Sequence, residues 1–218
     1  EALMASGEKG LVQLVMSSHA GMTQEEFRLQ VIEWNKNARH PRFEKAYTEM
    51  VYQPMLELLQ YLQENEFKTY IVSGGGVDFM RPLVSEIYNI PPEMIIGSTL
   101  KTEYEYNNGE PKIYRKPELF FVDDKHGKPE NIQRIIGRKP VIAVGNSDGD
   151  LAMLQYTSSA TNFLNIYVHH TDGQREWAYD RDSHVGRLDK GLDQAHSEGW
   201  TVVDMKKDWK VIFPFDSK

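Results

Sequence analysis

The stretch Pro140-Val141-Ile142-Ala143-Val144-Gly145-Asn146-Ser147-Asp148-Gly149-Asp150-Leu151-Ala152-Met153-Leu154 decides the fold. Its first six residues make a short apolar run of the kind buried on both faces of a parallel sheet, and the next five are turn and capping residues. Leu151 to Leu154 then resume with helix formers, so the segment reads as strand, polar loop, helix. The same order recurs upstream. Lys68-Thr69-Tyr70-Ile71-Val72-Ser73 is a strand candidate that stops at Gly74-Gly75-Gly76, and a helix to about Asn89 follows, with Asp78 as its cap and Pro82 tolerated in its first turn.

Working outward, Thr23 and Glu26 have capping-box spacing and Met22 and Phe27 the spacing of a hydrophobic staple, so a helix starts at residue 23. Phe27, Val31, Trp34 and Ala38 would form its apolar face. Pro54 opens a second helix striped with Met55, Leu58, Leu59 and Leu62, ending near Asn65. Leu100 to Tyr106 alternates, Asn107-Asn108-Gly109 supplies turn chemistry, and Lys112 to Arg115 returns as a hairpin partner. Pro129 opens a helix with Ile132, Ile135 and Ile136 that stops at Gly137. Strands at 163–168 and 200–205 flank a helix from Arg187 to Ser197 that ends at Gly199. Strands alternating with helices predict an α/β fold with a mainly parallel sheet, whose ligand crevice lies at the carboxyl ends of the strands.

Composition narrows the chemistry. The 218 residues include 25 Lys and Arg against 32 Asp and Glu, a net charge of -7, 40% hydrophobic residues and no cysteine. Without cysteine there is no disulfide framework, thiolate zinc site, iron–sulfur cluster or cysteine nucleophile. The acidic balance argues against a nucleic-acid partner, and nowhere do 18 apolar residues run together, so no membrane partner is expected. A small phosphorylated metabolite is the expected partner. The first residue is Glu1 rather than Met, which predicts further chain upstream. A cytoplasmic and a periplasmic location both fit.

Three polar segments fall where a crevice would form. Ser73-Gly74-Gly75 follows one strand, Lys128 stands at a helix start, and Asn146 to Asp150 follow the other strand. Glycines let backbone N–H groups approach an anion, and a helix N-terminus adds positive potential. Ser73 could donate to a phosphoryl oxygen, Lys128 could neutralise developing charge, and the oxygens of Asn146 and Asp150 suit a hard cation such as Mg²⁺. His169-His170 lacks partners at metal-ligand spacing and reads as structural. His19, Arg39 and His40 could face a substrate, though nothing in their spacing selects them. Trp177, Trp200 and Trp209 read as packing for the C-terminal part.

In Thr69 to Gly75, Lys128-Pro129 and Gly145 to Leu151, the sequence resembles the second, third and fourth motifs of the haloacid dehalogenase (HAD) superfamily, phosphoserine-phosphatase-like branch, in order and spacing. The resemblance implies a Rossmann-like HAD core with a small helical cap. Residues 1–50 would be the cap and 51–218 the core, with a β-hairpin near 99–115 and a C-terminal extension. It also implies Mg²⁺-dependent phosphate-monoester hydrolysis through an aspartyl-phosphate. Ser73 and Lys128 would be catalytic, Ser73, Gly74, Gly75 and Lys128 would bind phosphate, and Asn146 and Asp150 would organise the metal.

Two departures accompany it. The family's Asp-x-Asp-x-Thr/Val nucleophile motif is absent, so the nucleophile is expected upstream of Glu1 and the chain alone is expected to be inactive. Asn146 stands where the family usually has Asp, with Asp148 as an alternative outer ligand. Losing a central strand would also expose two sheet edges and favour a homo-oligomer. The alternative function is a non-catalytic phosphate-binding module with the same fold.

Overall fold

The computed structural model describes residues 20–217. The chain enters through helix α1, Gln24–Asn37, whose start follows from local chemistry: Thr23 Oγ1 accepts from the Glu26 N–H at 3.1 Å, and Glu26 Oε2 accepts from the Thr23 N–H at 2.8 Å. Phe27 and Val31 are buried as the spacing predicts. Trp34 is not; it is 44% exposed, so the expected apolar stripe breaks after two turns. A short 3-10 helix, Tyr47–Glu49, leads to α2, Gln53–Glu64, which carries its proline in the first turn.

Strand β1, Ile71–Gly76, runs directly into helix α3, Val77–Tyr88. The N-cap of α3 is Gly76, not Asp78. Asp78 lies inside the first turn, where its carboxylate pairs with the buried Arg115 guanidinium instead. Asn89 closes the helix at φ 50°, a left-handed conformation that asparagine adopts more readily than most residues.

Next come the long strands β2, Ile95–Asn107, and β3, Glu110–Phe121, joined by Asn108 and Gly109 at φ 54° and 85°. Positive φ at both central positions is the two-residue hairpin turn that Asn-Gly favours. The paired part of the hairpin runs from Thr99 to Phe121, beyond the expected 99–115 at its C-terminal end.

Helix α4, Gly127–Ile135, strand β4, Ile142–Gly145, helix α5, Leu151–Ser158, strand β5, Leu164–His169, helix α6, Lys190–Glu198, strand β6, Thr201–Asp204, and the short helix α7, Met205–Asp208, complete the chain. Helix α6 starts three residues later than the sequence suggests and ends at Gly199, φ 67°. The α/β expectation with a mainly parallel sheet holds: β1 pairs with β2, β4 with β5 and β5 with β6 in parallel, and the β2–β3 hairpin is antiparallel. Among the described residues the strands form two sheets in the orders β1-β2-β3 and β4-β5-β6, so β1 and β4 each end a sheet.

Among the described residues three buried clusters hold these elements together, one of them local to Val77, Ile90 and Ile95 and two joining distant parts of the chain. The first joins Ile132, Ala143, Leu154, Tyr167, Leu188 and Trp200, with Val72 of β1 packed against it, so the ends of β1 and β4 share one core. The second joins Val168, Met205, Trp209, Ile212 and Phe213 to Phe43, Tyr52 and Met55 from far upstream. Trp200 and Trp209 are buried there as expected. Trp177 differs: it is 55% exposed and lies under the Arg42 guanidinium at 4.7 Å. Arg175 holds the end of the chain by donating to the carbonyls of Met205, Lys206, Trp209 and Lys210, and Asp172 steadies it at 2.5 Å.

Candidate active site

Lys128 organises the site. Its ammonium is nearly buried and donates to the Val72 carbonyl of β1 at 2.7 Å and to Asp150 Oδ1 at 3.0 Å. One cation thus ties the end of the first parallel unit to the loop after β4. A buried ammonium is stable only when paired and hydrogen-bonded, and both conditions are met.

Asp150 is fully engaged. Its second oxygen accepts the backbone N–H groups of Asn146 at 2.9 Å and Ser147 at 3.2 Å, which folds the loop back on itself. Gly145 makes that possible: a Cβ there would lie 2.5 Å from Asp150 Cβ. Asn146 donates through Nδ2 to the Tyr179 hydroxyl at 3.0 Å, leaving its carbonyl oxygen without a donor among the described residues. Burial pushes the Tyr179 phenol up to about 12, with the Asn146 hydrogen bond pulling the other way. The ring stacks on His170 at 4.3 Å, and His170 in turn bonds Glu176 at 3.1 Å. The structural reading of His170 therefore holds.

Asp148 has a different task from the one expected. Its carboxylate accepts the backbone N–H groups of Asp189 at 3.0 Å, Lys190 at 3.3 Å and Gly191 at 2.8 Å, so it caps α6 from a distant loop. Those bonds turn both oxygens toward the start of α6.

On the other strand end, Ser73 is half-buried and Gly74, Gly75 and Gly76 are exposed. Ser73 Oγ accepts the Gly75 N–H at 3.2 Å. Ser98 supports the loop from below, donating to the Gly74 carbonyl at 2.8 Å and accepting the Asp123 N–H at 2.9 Å. The predicted residues Ser73, Gly74, Lys128, Asn146 and Asp150 therefore belong to one neighbourhood, linked through Val72, Lys128 and Asp150.

Sequence reading missed Asp124. A Cβ on Gly149 would lie 2.7 Å from Asp124 Oδ1, and one on Gly74 would lie 3.6 Å from Asp124 Cβ, so this carboxylate stands between the two loops. It makes no hydrogen bond or ion pair among the described residues. The available signal was two adjacent carboxylates directly after a strand and just ahead of Lys128. Its neighbour Asp123 is fully buried, accepts from Asn131 at 3.0 Å through one oxygen and leaves the other without a partner. Burial raises the Asp123 carboxyl above its ordinary range, against the Asn131 hydrogen bond and the nearby Lys128 charge.

Elsewhere, Arg39 donates to the carbonyls of Lys36 and Ala38 and so closes the end of α1. His40 Nδ1 accepts from the Arg42 N–H at 3.2 Å. His19 lies outside the described residues. No group of three or more acidic, histidine or cysteine side chains that could hold a metal ion occurs among the described residues. The oxygens of Asn146 and Asp124 are nevertheless hard donors with open valence, which fits a cation such as Mg²⁺ that keeps several waters and takes few protein ligands.

Residues 1–155 match the family model of the haloacid dehalogenase-like hydrolases. No curated protein matches the sequence. Among solved structures, a phosphoserine phosphohydrolase-like protein from Francisella tularensis subsp. tularensis SCHU S4 is similar at 21% identity, covering 77% of this chain and 76% of that one, with a TM-score of 0.39. Cytosolic 5'-nucleotidase IIIB bound to cytidine is similar at 13% identity, covering 84% of this chain and 53% of the other, with a TM-score of 0.46. The chain therefore spans about half the length of that nucleotidase.

Proposed function

The chain belongs to the haloacid dehalogenase-like hydrolase family, and from that premise we propose that it serves the Mg²⁺-dependent hydrolysis of phosphate monoesters. The observation that carries this reading is Lys128, whose ammonium is fixed between Val72 at the end of β1 and Asp150 beyond β4. A phosphoryl group drawn to that charge meets the Ser73 hydroxyl and the N–H groups of Gly74 and Gly75 on one side and the Asn146 loop on the other.

In this reading the nucleophile is an aspartate carried on a strand upstream of Glu1 and seated between β1 and β4. Its carboxylate attacks phosphorus while the bond from phosphorus to the ester oxygen breaks, and the alcohol leaves with a proton from a second acid. Water then attacks the aspartyl-phosphate, releasing inorganic phosphate and restoring the carboxylate. Lys128 offsets the negative charge that gathers on the phosphoryl oxygens, and Ser73 orients them. Asn146 and Asp124 would hold Mg²⁺, which when bound neutralises phosphoryl charge, while Asp150 positions the Asn146 loop and pairs with Lys128. The expected cap is retained in this proposal for residues 20–50, and its residues 1–19 lie outside the described residues.

The test is phosphate release by the product of the complete coding sequence, assayed on a panel of phosphomonoesters with Mg²⁺ and with chelator. Turnover that needs Mg²⁺ and is lost when the chain starts at Glu1 is the expected result. Failure of the complete protein to hydrolyse any member of the panel overturns the reading.

A further inference from the structure

Trp34 of α1, Tyr47 of the 3-10 helix and Phe79 of α3 come from three separate elements and meet at the surface. Trp34 stacks on Tyr47 with ring centroids 5.4 Å apart and 24° between planes, and Phe79 meets Trp34 at 5.3 Å and 57°. His40 stands edge-on to Tyr47 at 5.8 Å. The three rings remain 44%, 41% and 40% exposed. Leaving this much contiguous aromatic area in water is unfavourable, and such clusters mark binding surfaces. The same protein shows the alternative: Tyr52, Trp209 and Phe213 also converge, yet Trp209 and Phe213 are buried.

The position of the cluster says what covers it. Phe79 is the third residue after Gly76, the N-cap of α3, so it stands on the helical turn whose unpartnered N–H groups border the Ser73–Gly76 loop. One turn of helix rises about 5.4 Å, a span that a single small ester bridges with its phosphate at the loop and its remaining group on the rings. Flat rings take a flat guest by offset stacking, with no need for a matching charge. An aliphatic polyol would lose hydration against these rings without a comparable gain.

We propose that Trp34, Tyr47 and Phe79 form the leaving-group subsite of the active site and select phosphomonoesters whose alcohol carries a flat aromatic or heteroaromatic ring. This inference rests on the hydrolase reading above and names its substrate class.

The test compares phenyl phosphate, adenosine 5'-monophosphate and glycerol 3-phosphate as substrates of the complete protein. A kcat/KM at least tenfold higher for either ring-bearing ester than for glycerol 3-phosphate is expected, and the two ring-bearing arms separate aryl from nucleoside substrates. Trp34→Leu and, independently, Phe79→Leu should bring that ratio to within about threefold of one. A wild-type ratio near one, or a ratio that both variants leave intact, overturns the proposal. Should none of the three be hydrolysed, the hydrolase reading is judged on the full panel, and the subsite is decided by binding: tryptophan fluorescence titration should show phenyl phosphate binding at least fivefold tighter than glycerol 3-phosphate, with the difference lost in Phe79→Leu. Equal affinities would overturn it.

Discussion

The end of β1 and the loop after β4 stand at equivalent positions, each at the carboxyl side of a parallel strand and each leading into a helix, yet they are built in opposite ways. Asn146 to Asp150 is braced by side chains: Asp150 folds the loop on itself, Asp148 reaches across to cap α6, and Tyr179 holds the Asn146 amide. Ser73 to Gly76 has little of this. One serine oxygen and the Ser98 hydroxyl support it, and its three exposed glycines bring no side chains to brace it. A loop that presents a fixed oxygen must be rigid before the ligand arrives, whereas a loop that wraps an anion must keep its donors free. Lys128 joins the two, touching the backbone before one loop and the carboxylate of the other.

Substitutions can break or sharpen this contrast. The largest effect is expected from Lys128→Ala in the complete protein, because it removes the shared cation and leaves Asp150 half-paired: kcat should fall about a hundredfold, and steady-state kinetics showing a loss below threefold would remove Lys128 from the mechanism. Gly145→Ala forces a methyl group against Asp150, and thermal or urea unfolding should show a loss of about 1–3 kcal/mol. The matched change Gly76→Ala meets open space and should stay within about 0.5 kcal/mol. Equal losses at the two positions would erase the distinction between rigid and open loops.

Asp148→Ala removes the cap of α6 and should lower stability by about 1–2 kcal/mol, with hydrogen exchange accelerated first at residues 189–191; unchanged exchange there would refute the capping role. Ser73→Ala tests the open loop, where kcat should drop at least tenfold while the melting temperature barely moves. A variant that melts early but turns over normally would make Ser73 a structural residue.

Tyr179→Phe carries the smallest effect. Burial disfavours the phenolate and pushes the Tyr179 phenol up to about 12, while an unfolded tyrosine ionises near 10. Above pH 10 the unfolded state therefore holds fewer protons than the native state, and stability is lost as pH rises toward 12. Alkaline unfolding of Tyr179→Phe should be measurably less steep. An identical alkaline limb would place this phenol outside the pH response.

What the sequence disclosed was local. The capping box at Thr23, the Asn-Gly hairpin and the Asn146 to Asp150 segment each carry their signal within a few residues, and each appears where it was read; the three glycines read as a loop instead form the end of β1. Features that depend on distant partners were hidden. Asp78 has the chemistry of an N-cap, but the buried Arg115 guanidinium competes for it. Asp148 looks like a ligand in its own loop and acts instead on a helix some forty residues later. Asp124 gains its place from two glycines on different loops, neither adjacent in sequence. The exposure of Trp34 follows from where Tyr47 and Phe79 lie, which helical periodicity does not encode.

The second buried cluster has a consequence for how the protein is made. Phe43, Tyr52 and Met55 complete their surroundings only with Trp209, Ile212 and Phe213, and the Gln53 N–H is satisfied by the Ile212 carbonyl at 2.8 Å. An emerging nascent chain would carry these upstream apolar side chains without their partners through the synthesis of about 150 further residues, at about 5–20 residues per second. For that interval they are a target for holdase chaperones, and ribosome-stalled chains ending before Trp209 should remain protease-sensitive around residue 52 until the last segment is released.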